Sequence, residues 1–169
     1  SPSPRTGLMR NANSQCLNGR PLAEDLSRVL GRPVRLANDA NCLVLSEAID
    51  GAAAHCETVM GVILGTGVGG GVVVGKKLLA GHNAIAGEWG HLPLPWPRDE
   101  ERPGELCYCG ARGCLETFLS GTAVERQARE SGITLACATD MENVPQARDL
   151  LENWWDRLAR SFAVIVNLL

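Results

Sequence analysis

The sequence predicts an α/β fold with a mixed sheet and a zinc knuckle. Three observations carry that reading. Helix-type and strand-type apolar patterns alternate through the first half of the chain. Two β-rich runs, Thr58–Leu64 and Val72–Val74, flank the glycine-rich stretch Gly65–Gly71. One histidine and three cysteines follow, at His91, Cys107, Cys109 and Cys114. Helix, strand, helix, hairpin, knuckle and further helices, in that order, make an α/β arrangement.

Residues 1–20 are polar and turn-rich, with Asn11, Asn13, Asn18 and Gly19. Residues 21–30 read as a helix. Pro21 suits its first turn, Leu22, Leu26, Val29 and Leu30 share a face, and Gly31 stops it. Pro33–Ala37 reads as a short strand and Cys42–Ala54 as an Ala- and Leu-rich helix weakened at Gly51. Asp39 therefore stands where a strand hands over to a helix N-terminus. Free backbone N–H groups and the helix dipole favour an ionised carboxylate there. A plain N-cap is the alternative role. Asn38 and Asn41 around it form a polar cluster suited to a ligand hydroxyl.

Thr58–Leu64, the glycines and the strand from Val72 read as a hairpin. The glycines could bring backbone N–H groups to a phosphate, or simply make a tight turn. No Gly-Lys-Ser/Thr follows, and a strand rather than a helix comes next, which excludes a P-loop and a dinucleotide fingerprint. Lys76 and Lys77 are expected to be solvated. Residues 93–105 are too proline-rich for an element interior. A helix is expected near 122–130, irregular chain over 131–143, and a long helix from Pro145 to about Leu169. Its stripe of Ala147, Leu150, Leu151, Trp154, Leu158, Phe162, Ile165 and Val166 belongs to the core. The domain reading is 1–57 and 58–169.

Three thiolates and an imidazole make a closed tetrahedral site for Zn²⁺. In Cys107-x-Cys109-Gly-x-x-Gly-Cys114 the glycines let the backbone turn so that several sulfurs share a centre, and His91 supplies the fourth ligand. A disulfide is the alternative, and it would leave one of these cysteines over. Glu88 and Glu116 bracket the cluster. A structural zinc fixing the loop between them would hold both carboxylates still for a ligand.

The 169 residues are 45% hydrophobic, enough for a core, and carry a net charge of −3 with no basic stripe. Nucleic acid is not an expected partner of this segment. No apolar run in the sequence is long enough to span a membrane and none of its residues reads as a signal peptide, so no membrane partner is expected. Seven cysteines with a metal-like cluster fit a reducing, cytoplasmic setting, with Cys16, Cys42, Cys56 and Cys137 as free or packed thiols. The start without Met and the end within the apolar run Val164–Leu169 suggest a piece of something longer.

Asn38-Asp39-Ala40-Asn41, Gly65-Thr66-Gly67-Val68-Gly69-Gly70-Gly71, Glu88-Trp89-Gly90-His91 and Cys107-x-Cys109-Gly110-x-x-Gly113-Cys114-x-Glu116 occur in this order. Together they resemble the ROK family (repressors, open reading frames, kinases) of sugar kinases, over most of residues 1–125. The text around Leu36–Cys42 and Ala86–Trp96 leans toward fructokinase/mannokinase, with N-acetylglucosamine kinase next. The resemblance implies part of a two-lobed actin-like ATPase fold of the ribonuclease H-like type, with hexose and ATP in the cleft. Residues 1–57 would end the N-terminal lobe and 58–169 begin the C-terminal one.

It further implies ATP-dependent phosphorylation of a hexose, most readily fructose or mannose at O6. Asp39 would be the general base. Asn38, Glu88, His91 and Glu116 would bind sugar hydroxyls, with Asn11 and Asn13 on the substrate-side loop. Thr66 and Gly67 would face the ATP phosphates. Structural zinc on His91, Cys107, Cys109 and Cys114, Mg²⁺ with the ATP, and a homodimer at full length are the remaining expectations. The family's Asp-x-Gly-Gly-Thr phosphate loop does not occur in the chain. Residues 1–169 alone are therefore expected to have negligible kinase activity. The alternative is a sugar-sensing ROK repressor, which keeps these motifs and adds a helix-turn-helix upstream.

Overall fold

A computed structural model describes residues 2–3, 5–10, 12 and 14–169. Asn11 and Asn13 lie outside the described residues. The chain forms two compact units, Ser1–Val59 with Gly71–Gly87, and Met60–Gly70 with Glu88–Leu169. Three strands, β1 (Thr58–Leu64), β2 (Val68–Val74) and β3 (Lys77–Leu78), form one sheet in that order. β2 and β3 are antiparallel, with Val73 opposite Leu78 and Val74 opposite Lys77.

In the first unit, α1 (Leu22–Leu30) ends at Gly31, whose φ of +62° is the left-handed cap expected of a helix-stopping glycine. No strand forms over Pro33–Ala37, contrary to expectation. The Val34 N–H is taken by the Ser27 hydroxyl of α1 at 2.9 Å, so it enters no ladder. α2 spans Asp39–Ile49 rather than residues 42–54. It starts early because the Asn38 side chain accepts the Asn41 N–H at 3.1 Å. It ends early because the next backbone groups find other partners. Glu47 accepts the Ala52 N–H at 2.8 Å. The Lys76 ammonium, expected to be solvated, binds the carbonyls of Ala48, Ala54 and Cys56 at 2.8, 2.5 and 3.1 Å. Val44, Ala48 and Val73 form the small core of this unit, with Leu45, Val59 and Leu78 packed on it. Gly71 belongs to β2 rather than to a turn, and a Cβ there would meet the Asn41 side chain at 2.7 Å.

The second unit holds two apolar clusters. One gathers Val68, Trp89, Leu94, Leu115, Phe118, Leu119 and Leu158. The other gathers Val124, Met141 and Ala147. The tight turn is only Gly65–Gly67, because β2 already begins at Val68. The short helix α3 (Glu116–Leu119) leads into α4 (Gly121–Glu130), which Ser120 caps by accepting the Ala123 N–H at 3.1 Å. Within 131–143, residues Ala138–Glu142 make a 3-10 turn.

The last helix, α5 (Arg148–Val166), buries Leu158 and packs Trp154, Phe162 and Ile165 against the larger cluster. Val166 is 75% exposed, unlike its expected core position. It follows Ile165 by one residue, about 100° around the helix from the packed stripe.

The proline-rich loop is fastened to α5 by charge. Glu101, 5% exposed, bonds Arg157 at 2.8 Å and Arg160 at 2.9 and 3.0 Å. Arg160 also bonds Asp156 at 2.9 Å and the Pro95 carbonyl at 2.9 Å. Burial alone would raise the Glu101 carboxyl. The hydrogen bonds from Arg160, Arg157 and the Arg98 N–H outweigh it and hold the pKa at about 2. No helix among the described residues is long and apolar enough to cross a membrane.

Candidate active site

In the first unit Asn38 takes the capping role, so Asp39 does not. Asp39 is the first helical residue, exposed, and its Oδ1 accepts the Ala40 N–H at 2.9 Å. Among the described residues no other group bonds this carboxylate. It sits at the N-terminal end of α2. An exposed and lightly engaged carboxylate can accept a proton.

In the second unit the backbone of 92–115 is laced into a knuckle. The Cys107 N–H donates to the Ala111 carbonyl at 2.8 Å, Gly110 to Cys107 at 2.9 Å, Leu115 to Leu92 at 2.9 Å and Leu94 to Gly113 at 2.9 Å. These ties bring His91, Cys107, Cys109 and Cys114 together, with one ligand atom from each lying within 4.8 Å of all the others. Cys109 and Cys114 Sγ are 3.7 Å apart, and His91 Nδ1 is 3.5 Å from Cys107 Sγ. A disulfide needs sulfurs at about 2.05 Å. A tetrahedral zinc, with bonds of about 2.3 Å to sulfur and about 2.0 Å to nitrogen, needs edges of about 3.8 and about 3.6 Å. The four residues therefore fit zinc, with Nδ1 as the nitrogen ligand. All seven cysteines are free. Burial pushes the Cys114 thiol up to about 12 and raises Cys107, while the Ala111 N–H lowers Cys109.

Trp89 aims the residues around it. It is buried, its indole N–H donates to the Gly69 carbonyl at 2.7 Å, and its ring stacks near Phe162 at 5.7 Å. Glu88 before it stays exposed and His91 after it is half-buried. Gly90 between them packs against the Val68 carbonyl too closely for any Cβ. Glu116, the first residue of α3, accepts the Val68 N–H through Oε2 at 2.6 Å and lies against Gly67. Tyr108, which the sequence reading did not single out, places its hydroxyl 3.0 Å from His91 Nε2, its ring edge-on to the imidazole. Partial burial and the nearby charges of Glu116, Cys107, Glu88 and Cys109 push its phenol up to about 12. Glu88, His91, Tyr108 and Glu116 thus share one polar neighbourhood beside the knuckle. The only hint in the sequence was an aromatic residue between two ligand cysteines.

Thr66 is exposed at the tip of the turn, and its carbonyl accepts the Thr122 hydroxyl at 3.1 Å. Gly65 accepts the Gly121 N–H at 2.7 Å. Next to this turn lies a cavity of about 550 Å³, lined by Leu64, Thr66, Leu119, Thr122, Met141 and Trp155 among others.

The family model described as ROK family matches residues 3–169. The chain belongs to the ROK family. It is 44% identical over 128 residues to an N-acetyl-D-glucosamine kinase of Yersinia pestis bv. Antiqua, covering 73% of this chain and 50% of that protein. It is 40% identical over 166 residues to the N-acetyl-D-glucosamine kinase of Pectobacterium carotovorum subsp. carotovorum, covering 93% and 55%. The chain spans about half the length of these curated relatives. Among solved structures, the ROK hexokinase from Thermus thermophilus superposes with a TM-score of 0.77 at 32% identity, over 90% of this chain and 51% of that one. A ROK glucokinase from Streptomyces griseus, in complex with glucose and AMPPNP, gives 0.75 at 27%, over 90% and 54%. These ROK chains share the α/β fold. None of these four proteins is named for fructose or mannose, so the lean toward fructokinase has no support from them.

Proposed function

We propose that the protein containing this chain is an ATP-dependent sugar kinase, with N-acetyl-D-glucosamine as its first candidate substrate. The Glu88–His91–Glu116 constellation beside the knuckle carries this reading, because carboxylates and a metal-oriented imidazole suit a neutral, hydroxyl-rich ligand. The relatives' names make N-acetyl-D-glucosamine the first sugar to test, ahead of fructose and mannose. ATP, accompanied by Mg²⁺, is the phosphoryl donor.

The residues take separate roles. Glu88 and Glu116 accept hydrogen bonds from ring hydroxyls, and His91 Nε2 serves the same face. In the first unit Asn38 binds a sugar hydroxyl. Asp39 accepts the proton of the attacking hydroxyl as its oxygen bonds to the γ-phosphorus and the bond to ADP breaks. Thr66 and Gly67 face the phosphates, and the neighbouring cavity, with Trp155 and Met141 on its wall, suits a purine. Zinc on His91, Cys107, Cys109 and Cys114 is structural. It holds the loop so that the carboxylates keep their geometry. The wider architecture is read as the C-terminal part of one lobe and the first part of another in an actin-like ATPase.

The test is ADP release by the full-length protein with ATP and a panel of N-acetyl-D-glucosamine, glucose, mannose and fructose. N-acetyl-D-glucosamine should give the highest kcat/KM, and Asp39→Asn should lower kcat by roughly 10²–10⁴-fold with sugar affinity little changed. Preference for fructose would overturn the substrate but not the kinase. Silence with every sugar would remove the kinase reading, and unchanged turnover in Asp39→Asn would remove the base.

A further inference from the structure

We propose that Cys109 and Cys114 form an oxidation-sensitive pair, which a peroxide converts to a disulfide with loss of the knuckle's zinc and loosening of its loop. The inference rests on the zinc assignment above and not on the identity of the sugar. Three observations carry it. First, the three thiols differ in access. Cys109 is exposed, whereas Cys107 and Cys114 are 3% and 1% exposed. An oxidant therefore meets one sulfur first. Second, a resolving sulfur stands beside it, with Cys109 and Cys114 Sγ 3.7 Å apart. Third, the turn between them can tighten. Gly110 has a φ of +91° and open space where a Cβ would stand, whereas a Cβ at Gly113 would meet the Pro103 carbonyl at 3.1 Å. The Cys109 end has room to move and the Cys114 end is seated. Cys107 is pinned: its sulfur faces His91 Nδ1 at 3.5 Å, and its N–H and carbonyl are bonded to Ala111 and Gly110.

The chemistry balances in two steps. A thiol that ligates zinc is deprotonated outright, so both sulfurs are nucleophiles in the loaded knuckle. The Cys109 sulfur attacks one oxygen of hydrogen peroxide. The O–O bond breaks, hydroxide leaves, and Cys109 becomes a sulfenic acid. The Cys114 sulfur then attacks the Cys109 sulfur. The S–S bond forms as the S–O bond breaks, and a second hydroxide leaves. Two electrons have passed from the two thiolates to the peroxide, and two protons from solvent turn both hydroxides into water. The sulfurs must close from 3.7 Å to about 2.05 Å, a short movement for the exposed end of a glycine turn. His91 and Cys107 are then the only ligands left, half of what a structural zinc site needs, and the metal leaves. With it goes the clamp on residues 88–116.

The experiment is titration of the full-length, zinc-loaded protein with hydrogen peroxide. A chelating dye follows zinc release, differential alkylation with peptide mapping follows each cysteine, and hydrogen exchange follows the loop. Zinc release should track disulfide formation at roughly one to one, with Cys109 joined to Cys114 and Cys107 still free. Protection should fall across residues 88–119 in the oxidised protein, and a dithiol reductant with added zinc should restore both metal and protection. Cys16, Cys42 and Cys137 are exposed but lie outside the cluster, so they serve as an internal comparison. Their oxidation while zinc stays bound overturns the proposal. So does zinc release with Cys109 carried to sulfinic acid and no disulfide, so does a disulfide through Cys107, and so does unchanged protection after the pair has joined. A reduced protein that binds no zinc overturns the zinc assignment along with this inference. Activity toward any sugar plays no part in the readout, so failure of the kinase reading is seen separately.

Discussion

The two units are held together by different means. The first has a core of three buried side chains, Val44, Ala48 and Val73, and spends its polar groups on its own backbone. Asn38 caps the start of α2 and Lys76 gathers carbonyls at and beyond its end. Several of its large apolar side chains stay exposed, Val29 at 81% among them. The second has two apolar clusters, a buried carboxylate shared by two arginines and four metal-type ligands. Side chains far apart in sequence are tied to one another there. The contrast separates two ways of holding a candidate site carboxylate. Asp39 is placed by the backbone of one helix end and engaged only by the Ala40 N–H beside it. Glu88 and Glu116 stand beside a framework of side chains, and Glu116 is itself tied into it through the Val68 N–H.

The hardest test of this contrast is removal of the knuckle. Cys114 is 1% exposed and lies within ligand distance of its neighbours. Because folding and metal binding are coupled in such sites, Cys114→Ser should lose its zinc and cost the second unit on the order of 4 kcal/mol. Metal analysis and hydrogen exchange check both. Protection should fall across residues 88–119 and persist in α2. A variant that keeps one zinc per chain would take Cys114 out of the ligand set.

A smaller effect is expected at Glu101. Its side chain is 3% exposed and those of Arg157 and Arg160 are 13% and 15%. Glu101→Gln leaves two cations without their carboxylate, at a cost of about 3 kcal/mol. The pH dependence has a definite sign. The folded pKa is depressed to about 2 from 4.5, so the stabilisation is complete above pH 4.5 and is lost as pH falls through about 2. That amounts to about 3 kcal/mol at most. Asp99 and Asp156 are further carboxylates on the same loop and helix, so the informative quantity is wild type minus Glu101→Gln. This difference should shrink between pH 4.5 and 2 in denaturant titrations. A constant difference over that range would mean the ion pairs add nothing beyond shape.

What the sequence disclosed follows the same division. The end of α1 at Gly31, the run of β1 and the gathering of His91 with three cysteines were legible, because each depends on residue types at short spacing. The glycine turn was legible in kind but too long by four residues, since strand pairing recruits Val68–Gly71. Pro33–Ala37 has strand-like residues, yet a strand exists only when a neighbour pairs with it, and periodicity does not encode the neighbour. Tyr108 and Glu101 were invisible for a related reason. Their partners lie 17 residues away in one case and 56 and 59 in the other. Within Asn38-Asp39-Ala40-Asn41 the motif was plain but its division of labour was not, until helix geometry gave the cap to Asn38.

The smallest expected effect is at Lys76, and it probes the first unit's side of the contrast. Three carbonyls 20 to 28 residues earlier converge on its ammonium, which is half-buried at a positive φ of 61°. One of them, Ala48, belongs to the last turn of α2, where a cation also meets the negative end of the dipole. Lys76→Met keeps most of the stem and removes the donors. Water can reach the exposed part of this site and rehydrate the carbonyls, so the loss should be only about 1–2 kcal/mol. Hydrogen exchange locates it: the amides of Asp50–Cys56 should lose protection first, with the knuckle unaffected. If Lys76→Met is as stable as wild type, the turn after α2 holds by its own backbone bonds, and the first unit rests on its small core more than on polar groups turned toward its backbone.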